Sequence, residues 1–396
     1  MKKFLPLLSL IVVIACSKSG GKLDQPVPVA SINGLSLMEG NSGASVFEFT
    51  LSLSNATSQA VTITYSTLEG TAKAGEDFTA VTNQSVTFQP NETQKKIILS
   101  VIADEIKEDD ETLTMMLTGA TNATIQQHTA AVVIVNDDTK ISLSNAGYDA
   151  PTNYTGYSLS WADEFNTGTL DANVWTHQNG DGCPGICGWG NNELEYYTDR
   201  LQNIFFQDGK MIIEARKENF GGKNYTSSKI LTSGKKTFKY GRIDIRAKLP
   251  KGKGIWPAFW MLPQNNIYGG WPRSGEIDIM EMVGHDPGRT HGTLHYGPGP
   301  GSIQYSRNTA LSSGILHDEF HVYSVEWKQD QLKWFLDGNL FSTANKSDLQ
   351  AGTTYPFNED FYFIVNLAVG GNWPGSPDAT TSFPQWLIVD YIRVYQ

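Results

Sequence analysis

Three carboxylates within six residues are the feature of this sequence best suited to chemistry. Glu276, Asp278 and Glu281 lie in the otherwise apolar segment 276–281, which follows turn-forming residues at 272–275. The pattern predicts a β-strand, in which successive side chains face opposite sides. Glu276 and Asp278 would share one face, whereas Glu281 would point into a core, where an unpaired carboxylate is costly.

A β-bulge near Ile279 and Met280 removes this conflict, because one extra residue returns Glu281 to the face of the other two. Two glutamates then converge on a groove with Asp278 between them. Such a pair suits retaining glycoside hydrolysis, in which a nucleophile and a proton-donating acid lie about 5 to 5.5 Å apart. Asp278 would hydrogen-bond the nucleophile, and its charge would help to keep the acid protonated. The alternative is a charged edge strand that prevents aggregation.

Strand-like alternation extends over most of the chain. Residues 47–53 and 61–65 alternate apolar and polar types between Gly, Asn and Asp turns, and helical periodicity is scarce. With 396 residues, the chain is long enough for two domains with cores of their own. We therefore predict an all-β protein of the sandwich type.

The carboxylate segment resembles the E-x-D-x-x-E signature of glycoside hydrolase family 16, in the bulged form of its laminarinase-type members. Four further blocks look like laminarinase segments in the expected order, and they lie at 189–198, 256–261, 291–296 and 366–374. The resemblance runs from about Tyr157 to the C-terminus and implies a β-jelly-roll catalytic domain. Asn192 and Glu195 depart from the family, because Gly and Gln are common at these positions.

By this resemblance, Glu276 is the nucleophile, Asp278 its assistant and Glu281 the general acid/base, with no catalytic cofactor. The implied activity is endo-acting hydrolysis of β-1,3-glucan of the laminarin type with retention. Within the same class, mixed-linkage β-1,3-1,4-glucanase activity is the alternative. A surface glycan-binding lipoprotein without catalysis is the alternative from another class, although it has no physical reason to keep all three carboxylates.

Aromatic and polar residues in and between these blocks are expected to bind sugar. All ten tryptophans lie after Leu159, and aromatic rings bury the C–H faces of sugars well. A core position is the alternative for any one of them. The predicted sugar-binding residues are Asn191, Glu193, Arg242, Trp256, Trp260, Trp271, His295 and Trp373.

Acidic residues are concentrated in the first third of the chain. The net charge of −11 argues against binding to nucleic acid, and residues 26–138 contain 4 Lys and no Arg against 14 Asp and Glu. Segments 39–40, 70–78, 104–111 and 135–138 resemble a Calx-β domain. That resemblance implies a small β-sandwich binding calcium through Glu39, Asp77, Asp104, Glu111, Asp137 and Asp138. A spacer with a solvated acidic face is the alternative.

A second, structural calcium site is implied in the catalytic domain by its family resemblance. Glu164 and Gly209 would offer backbone carbonyls, and Asp390 would complete the site. The alternative is that Asp390 accepts only backbone hydrogen bonds.

Cys183 and Cys187 stand four residues apart on a Gly-rich loop. In an exported protein this spacing favours a local disulfide. Zinc is the alternative, although structural zinc takes about four ligands and no second Cys or His pair lies nearby.

The N-terminus has the pattern of an export signal. Lys2 and Lys3 precede an apolar run at 4–15, and residues 13–16 resemble a bacterial lipobox ending at Cys16. We expect a lipid-modified, monomeric outer-membrane lipoprotein of the bacterial cell envelope. The predicted divisions are a signal peptide at 1–15, a tether at 16–26, the Calx-β-like domain at 27–139, a linker at 140–156 and the catalytic domain at 157–396.

Overall fold

The computed structural model describes residues 26–108 and 110–396, which form two compact units divided between Ile141 and Ser142. The predicted signal peptide, Cys16 and the tether up to residue 25 lie outside the described residues. Within the described ranges, no helix is both long enough and apolar enough to cross a membrane.

The first unit is a sandwich of two sheets. One sheet has the order β6-β3-β1-β8 and the other β2-β9-β7-β4-β5. Alternate residues of β3, such as Phe47, Phe49 and Leu51, are buried between the sheets. The strands are β1 (Val29–Ile32), β2 (Leu35–Met38), β3 (Gly43–Leu53), β4 (Val61–Glu69), β5 (Gln84–Phe88), β6 (Gln94–Ala103), β7 (Glu111–Thr121), β8 (Thr124–Ile125) and β9 (Thr129–Val135).

The second unit contains two larger sheets and short 3-10 turns at Cys187–Gly190 and Lys346–Asp348. Its strands are β10 (Leu159–Asp163), β11 (Thr176–His177), β12 (Glu195–Tyr197), β13 (Ile204–Gln207), β14 (Lys210–Phe220), β15 (Lys223–Ser227), β16 (Lys229–Leu231), β17 (Gly241–Lys248), β18 (Ile255–Pro263), β19 (Glu276–Glu281), β20 (Arg289–Tyr296), β21 (Ile303–Ala310), β22 (His321–Lys328), β23 (Gln331–Leu336), β24 (Asn339–Asn345), β25 (Phe361–Val369) and β26 (Gln385–Tyr395).

The two sheets of this unit enclose one hydrophobic core. A seven-stranded sheet has the order β11-β16-β25-β18-β19-β20-β21, and a ten-stranded sheet is built around β14, β26, β17 and β22. Ile243 and Ile245 of β17 pack in the core with Phe259 and Met261 of β18. The alternation along β18 leaves Trp260 on the opposite face of the seven-stranded sheet, beside the carboxylates of β19.

Most of the segment predicted as a linker, from Ser142 onward, groups with the second unit. The hydroxyl of Tyr154 donates to Asp244 Oδ2 at 2.7 Å, and Arg246 Nε donates to the carbonyl of Tyr148 at 2.8 Å. Both β17 partners are buried. The outer face of β17 therefore carries buried charges that need partners, and the segment supplies them.

Candidate active site

The central strand β19 contains the predicted bulge. Asp278 pairs with Thr293 of β20 and Glu281 with His291, so three residue steps on β19 correspond to two on β20. The same irregularity appears in the pairing of β19 with β18. Ile279, within the bulge, is buried in the core. As a result, Glu281 remains partly exposed on the side of Glu276 and avoids the core.

Each of the two glutamates accepts a hydrogen bond from a tryptophan indole. Trp271 Nε1 donates to Glu276 Oε2 at 2.9 Å, and Trp256 Nε1 donates to Glu281 Oε1 at 3.1 Å. These bonds hold one oxygen of each carboxyl group. The Trp271 side chain is also 54% exposed, so its ring can both orient Glu276 and meet a sugar.

His295 lies against the other carboxylates of the strand. Its Nε2 is 3.2 Å from Asp278 Oδ2 and 3.5 Å from Glu276 Oε1, and its Nδ1 is 2.9 Å from the hydroxyl of Ser302. The side chain predicted to contact sugar hydroxyls therefore bridges the nucleophile candidate and its assistant. On the core side, Trp334 Nε1 donates to the carbonyl of Asp278 at 2.9 Å and anchors the bulged segment.

Burial dominates the protonation of this cluster. Desolvation, reinforced by the negative charge of Asp278, raises the pKa of Glu276 and of Glu281 to about 8. Desolvation also holds the pKa of Asp278 well above its usual range. His295 and the two indole N–H groups act in the opposite direction on the glutamates. The cluster thus retains protons at neutral pH, which a proton-donating Glu281 requires.

A wall of the groove is formed by two loops that bind each other. The carbonyl of Asn191 accepts the backbone N–H of Asn372 at 2.7 Å, and the side chains of Asn192 and Asn372 are 2.8 Å apart. Trp373, which is 41% exposed, meets the ring of Trp256 edge to face at 5.6 Å. The predicted residues Asn191, Trp256 and Trp373 are therefore brought together near Glu281.

Cys183 and Cys187 form a disulfide in the loop that leads to this wall, with an S–S distance of 2.02 Å. Neither sulfur is then a free thiolate for zinc. The bridge closes a small loop directly before the turn Cys187–Gly190.

Behind the wall lies a group of buried polar side chains, most of which sequence reasoning missed. Glu193, a predicted sugar contact, is buried and accepts the hydroxyl of Tyr197 at 3.2 Å. The ammonium of Lys229 lies 4.3 Å from the ring centre of Trp189 and 5.2 Å from that of Trp260. One feature of the sequence could have indicated this group: Lys229 directly precedes the apolar residues Ile230 and Leu231. A lysine that is buried with such neighbours needs partners for its charge.

Arg242 is the predicted sugar-binding residue that the structure places elsewhere. It lies on β17 of the ten-stranded sheet, where its guanidinium binds Asp244 at 2.9 Å and Glu326 at 3.1 Å and covers the ring of Tyr154 at 4.2 Å. Its role is structural, so the prediction of a groove contact is wrong. The sequence block alone could not distinguish the two sheets.

Two of the three predicted calcium residues of the second unit, Asp390 and Glu164, pair with lysine and arginine side chains. Asp390 lies 2.5 Å from Arg246 Nη1 and 3.4 Å from Lys210 Nζ, and the Glu164 carboxylate binds Arg393 in a bidentate pair at 2.7 and 2.9 Å. Two positive side chains thus neutralise the carboxylate that was to hold the metal. Because its carboxylate already pairs with Arg246 and Lys210, the Asp390 side chain does not fit the role of a calcium ligand in the predicted site with Glu164 and Gly209.

The acidic residues of the first unit gather in two clusters, each with ligand oxygens within 4.8 Å of one another. Burial and neighbouring acids raise the pKa of Glu39 to about 7 and that of Glu111 to about 8. Asp137 lies in neither cluster and accepts the N–H of Gly40 at 2.9 Å. The clusters are Glu39, Asp104 and Asp138, and Asp77, Glu108 and Glu111, so Glu108 is the member that the sequence prediction missed.

Comparisons with known proteins agree with this division into units. The profile of Glycosyl hydrolases family 16 matches residues 190–389, and that of the Calx-beta domain matches residues 36–138. Glucan endo-1,3-beta-glucosidase A1 of Niallia circulans is 41% identical over 291 residues, which are 66% of this chain and 41% of that protein. The chain thus spans less than half of that relative.

Two further relatives are matched over most of their length. Beta-glucanase of Rhodothermus marinus is 40% identical over 265 residues, covering 65% of this chain and 91% of that protein. The laminarinase catalytic domain from Thermotoga maritima MSB8 superimposes with a TM-score of 0.57 at 47% identity, covering 61% of this chain and 98% of that domain.

Proposed function

The chain belongs to glycosyl hydrolase family 16, and from this premise we propose that it is a retaining endo-β-1,3-glucanase. The observation that carries the proposal is the bulged strand β19, which presents Glu276 and Glu281 on the same side of the sheet. Relatives named as a glucan endo-1,3-beta-glucosidase and a laminarinase support β-1,3-glucan as the substrate.

The reaction follows a double displacement. Glu281, as a carboxylic acid, protonates the glycosidic oxygen while the Glu276 carboxylate attacks the anomeric carbon, and the C–O bond breaks to release the reducing-end fragment. Glu281, now ionised, removes a proton from water, which attacks the anomeric carbon and frees Glu276. Trp271 and His295 hold the nucleophile in place, since both contact its carboxyl group.

The proposal is tested by the products formed from laminarin and from lichenan, a mixed-linkage glucan. We expect oligosaccharides of several lengths from laminarin early in the reaction, with the β-anomer first in proton NMR. Faster release of reducing ends from lichenan would favour the mixed-linkage alternative. Release from neither glucan by protein that still binds laminarin would favour a glycan-binding protein.

Calcium is proposed as a structural ion of the first unit. Six carboxylates in two clusters repel one another, and a hard cation that prefers oxygen ligands relieves this repulsion.

We also propose that the protein is a monomeric lipoprotein of the outer membrane in the bacterial cell envelope. The support is the apolar run at 4–15 directly before Cys16. Lipid on the Cys16 sulfur and the new N-terminus would supply the anchor.

A further inference from the structure

A directional chain of hydrogen bonds connects the groove floor to Glu193. Trp260 Nε1 donates to Asn366 Oδ1 at 2.8 Å, and Asn366 Nδ2 donates to the hydroxyl of Tyr197 at 3.0 Å. An indole N–H can only donate, so Asn366 Oδ1 is the acceptor and Asn366 Nδ2 faces Tyr197. The Tyr197 hydroxyl accepts from this amide and donates its own O–H to Glu193 Oε2. That last bond is 3.2 Å long. Glu193 is therefore the terminal acceptor of the chain.

A second carboxyl group lies directly beside this acceptor. Glu195 is fully buried, and its Oε2 accepts the backbone N–H of Val369 at 2.6 Å. Its Oε1 meets no donor among the described residues, and the side chain of Glu193 is within hydrogen-bonding reach. Ionised carboxylates only accept hydrogen bonds. A proton shared between Glu193 and Glu195 would give Glu195 Oε1 the partner it lacks.

The charges around Glu193 and Glu195 balance only one ionised carboxylate. Lys229 on β16 is the cation that faces both carboxyl groups, and it also interacts with Glu276 on β19. Tyr197 on β12 faces the pair through its hydroxyl, whereas β25 contributes the uncharged Asn366 and the N–H of Val369. One lysine and one ionised glutamate balance, and a second ionised glutamate would be buried without a partner.

We propose that Glu195 is a positioning residue, which keeps a proton shared with Glu193 and thereby holds Trp260 and the Asn191 wall in the substrate-binding arrangement. Asn191 Nδ2 contacts Glu193 Oε1 at 3.4 Å, so the same carboxyl group orients both wall and floor. When the proton is lost at alkaline pH, repulsion between the two carboxylates separates them, and the glycan loses ordered contacts.

Two effects keep the proton in place at neutral pH. Burial, followed by the charge of Glu193, holds the pKa of Glu195 well above its usual range. The substrate-binding state is then present below that pKa and is lost as the pH rises through it. Loss of the proton from Glu281 at alkaline pH removes the catalytic acid, whereas loss of the shared proton is expected to raise KM.

The test compares wild type with Glu195→Gln and Tyr197→Phe in the full-length protein. Difference infrared spectra between wild type and Glu195→Gln at neutral pH should show the C=O stretch of a protonated carboxylic acid. In laminarin hydrolysis, the wild-type KM should rise at alkaline pH by up to about tenfold per pH unit, and this rise should vanish in Glu195→Gln. Tyr197→Phe should keep the infrared band but lose the alkaline rise in KM, because it removes the hydrogen bond that joins Tyr197 to Glu193.

Two results would overturn the inference. Absence of the carboxylic-acid band would mean that no proton is shared. Retention of the alkaline rise in KM by Glu195→Gln would mean that the pair does not position the groove. The kinetic readout rests on the proposed glucanase function, whereas the infrared band needs no substrate, so failure of one is distinguishable from failure of the other.

Discussion

At the scale of single residues, the two glutamates of β19 have nearly the same surroundings. Each is largely withdrawn from solvent beside Asp278, has a pKa raised to about 8 and accepts one indole N–H. Two neighbours differ. His295 lies 3.5 Å from Glu276, whereas Trp373 contacts, edge to face, the ring of Trp256, which donates to Glu281. Their chemical roles therefore come from position relative to the sugar, and substitution can separate them.

Replacing each glutamate by alanine should give opposite stereochemistry in rescue by azide. Glu276→Ala should lose hydrolysis, and azide entering the vacated side should give an α-glycosyl azide. Glu281→Ala should still cleave substrates with good leaving groups slowly, because acid assistance matters least for them. Azide should then give the β-product. Proton NMR of the products checks the assignment, and the same anomer from both variants would contradict it.

Trp271→Phe should move the acidic limb of kcat/KM to higher pH. The indole N–H favours the ionised form of Glu276, and a hydrogen bond to a charged group is worth about 1.5 to 3 kcal/mol, or roughly 1 to 2 pKa units. The nucleophile must be ionised, so activity is lost as the pH falls through the pKa of Glu276. A higher pKa moves this loss of activity to higher pH. Trp386→Phe is the matched control, because its indole donates to Glu214 on the ten-stranded sheet. Coincident pH profiles for Trp271→Phe and wild type would contradict this role.

At the scale of the element, the bulge makes β19 an active-site strand. A regular strand would bury Glu281 and turn Met280 toward the groove, whereas the bulge buries both Ile279 and Met280 and leaves Glu281 beside the groove. The bulge is supported from the core by Trp334, whose N–H meets the carbonyl of Asp278. A Cβ atom added to Gly292 would lie 2.4 Å from the ring of Trp334, so this position of β20 requires glycine.

Trp334→Phe should therefore reduce both stability and turnover. The buried carbonyl of Asp278 would lose its donor, at a cost of about 1 to 3 kcal/mol, and the smaller ring would leave a cavity. Thermal unfolding of the second unit and kcat on laminarin measure the two effects. Trp327→Phe is the control, since Trp327 is equally buried but donates to the carbonyl of Phe357 instead. A loss of stability with unchanged kcat would show that the bulge does not depend on Trp334.

At the scale of the whole molecule, the chain divides chemical tasks between its two units. The second unit holds the carboxylates of β19 and the groove residues, and the first holds the two acidic clusters. In the second unit, arginine and lysine side chains neutralise Asp390. Burial and neighbouring acids raise the pKa of Glu39 and of Glu111 in the first unit instead, as expected where carboxyl groups face one another without enough cations.

Calcium should raise the unfolding temperature of the first unit in the full-length protein, and chelation should lower it. A ligand at about 100 times its Kd stabilises by about 2.7 kcal/mol. Protons compete for the same oxygens, so the effect should weaken as the pH falls through about 8 and about 7, the raised pKa values of Glu111 and Glu39. Glu111→Gln should reduce the calcium response, whereas Glu48→Gln, an exposed acid paired with Lys96, should not. If calorimetry of the wild type shows no response to calcium, the first unit is a spacer domain without a calcium site.

Cys16→Ala should release the protein from membranes or leave it unprocessed, because the cysteine sulfur carries the proposed lipid. Detergent-phase partitioning of the expressed wild-type and variant proteins measures this. Equal distribution of the two would contradict lipid anchoring.

Local patterns in the sequence were sufficient for the all-β class, the convergence of the three carboxylates and the bulge, whereas the two domain types followed from resemblance to known families. The physical reason is that strand alternation is strictly local, so the parity of Glu281 conflicts with its apolar neighbours within six residues. The disulfide followed from equally local spacing, since only three residues separate Cys183 from Cys187.

Only the tertiary structure decided which polar residues face the groove. Arg242 and Lys229 both lie on strands, yet β17 belongs to the ten-stranded sheet and β16 to the seven-stranded sheet. Sheet membership depends on pairing between distant segments, as when Lys229 pairs with Asn366. The same long-range pairing brings Glu195 to the backbone of Val369. Burial of a charge is a property of these assembled neighbours, and no window of sequence contains them.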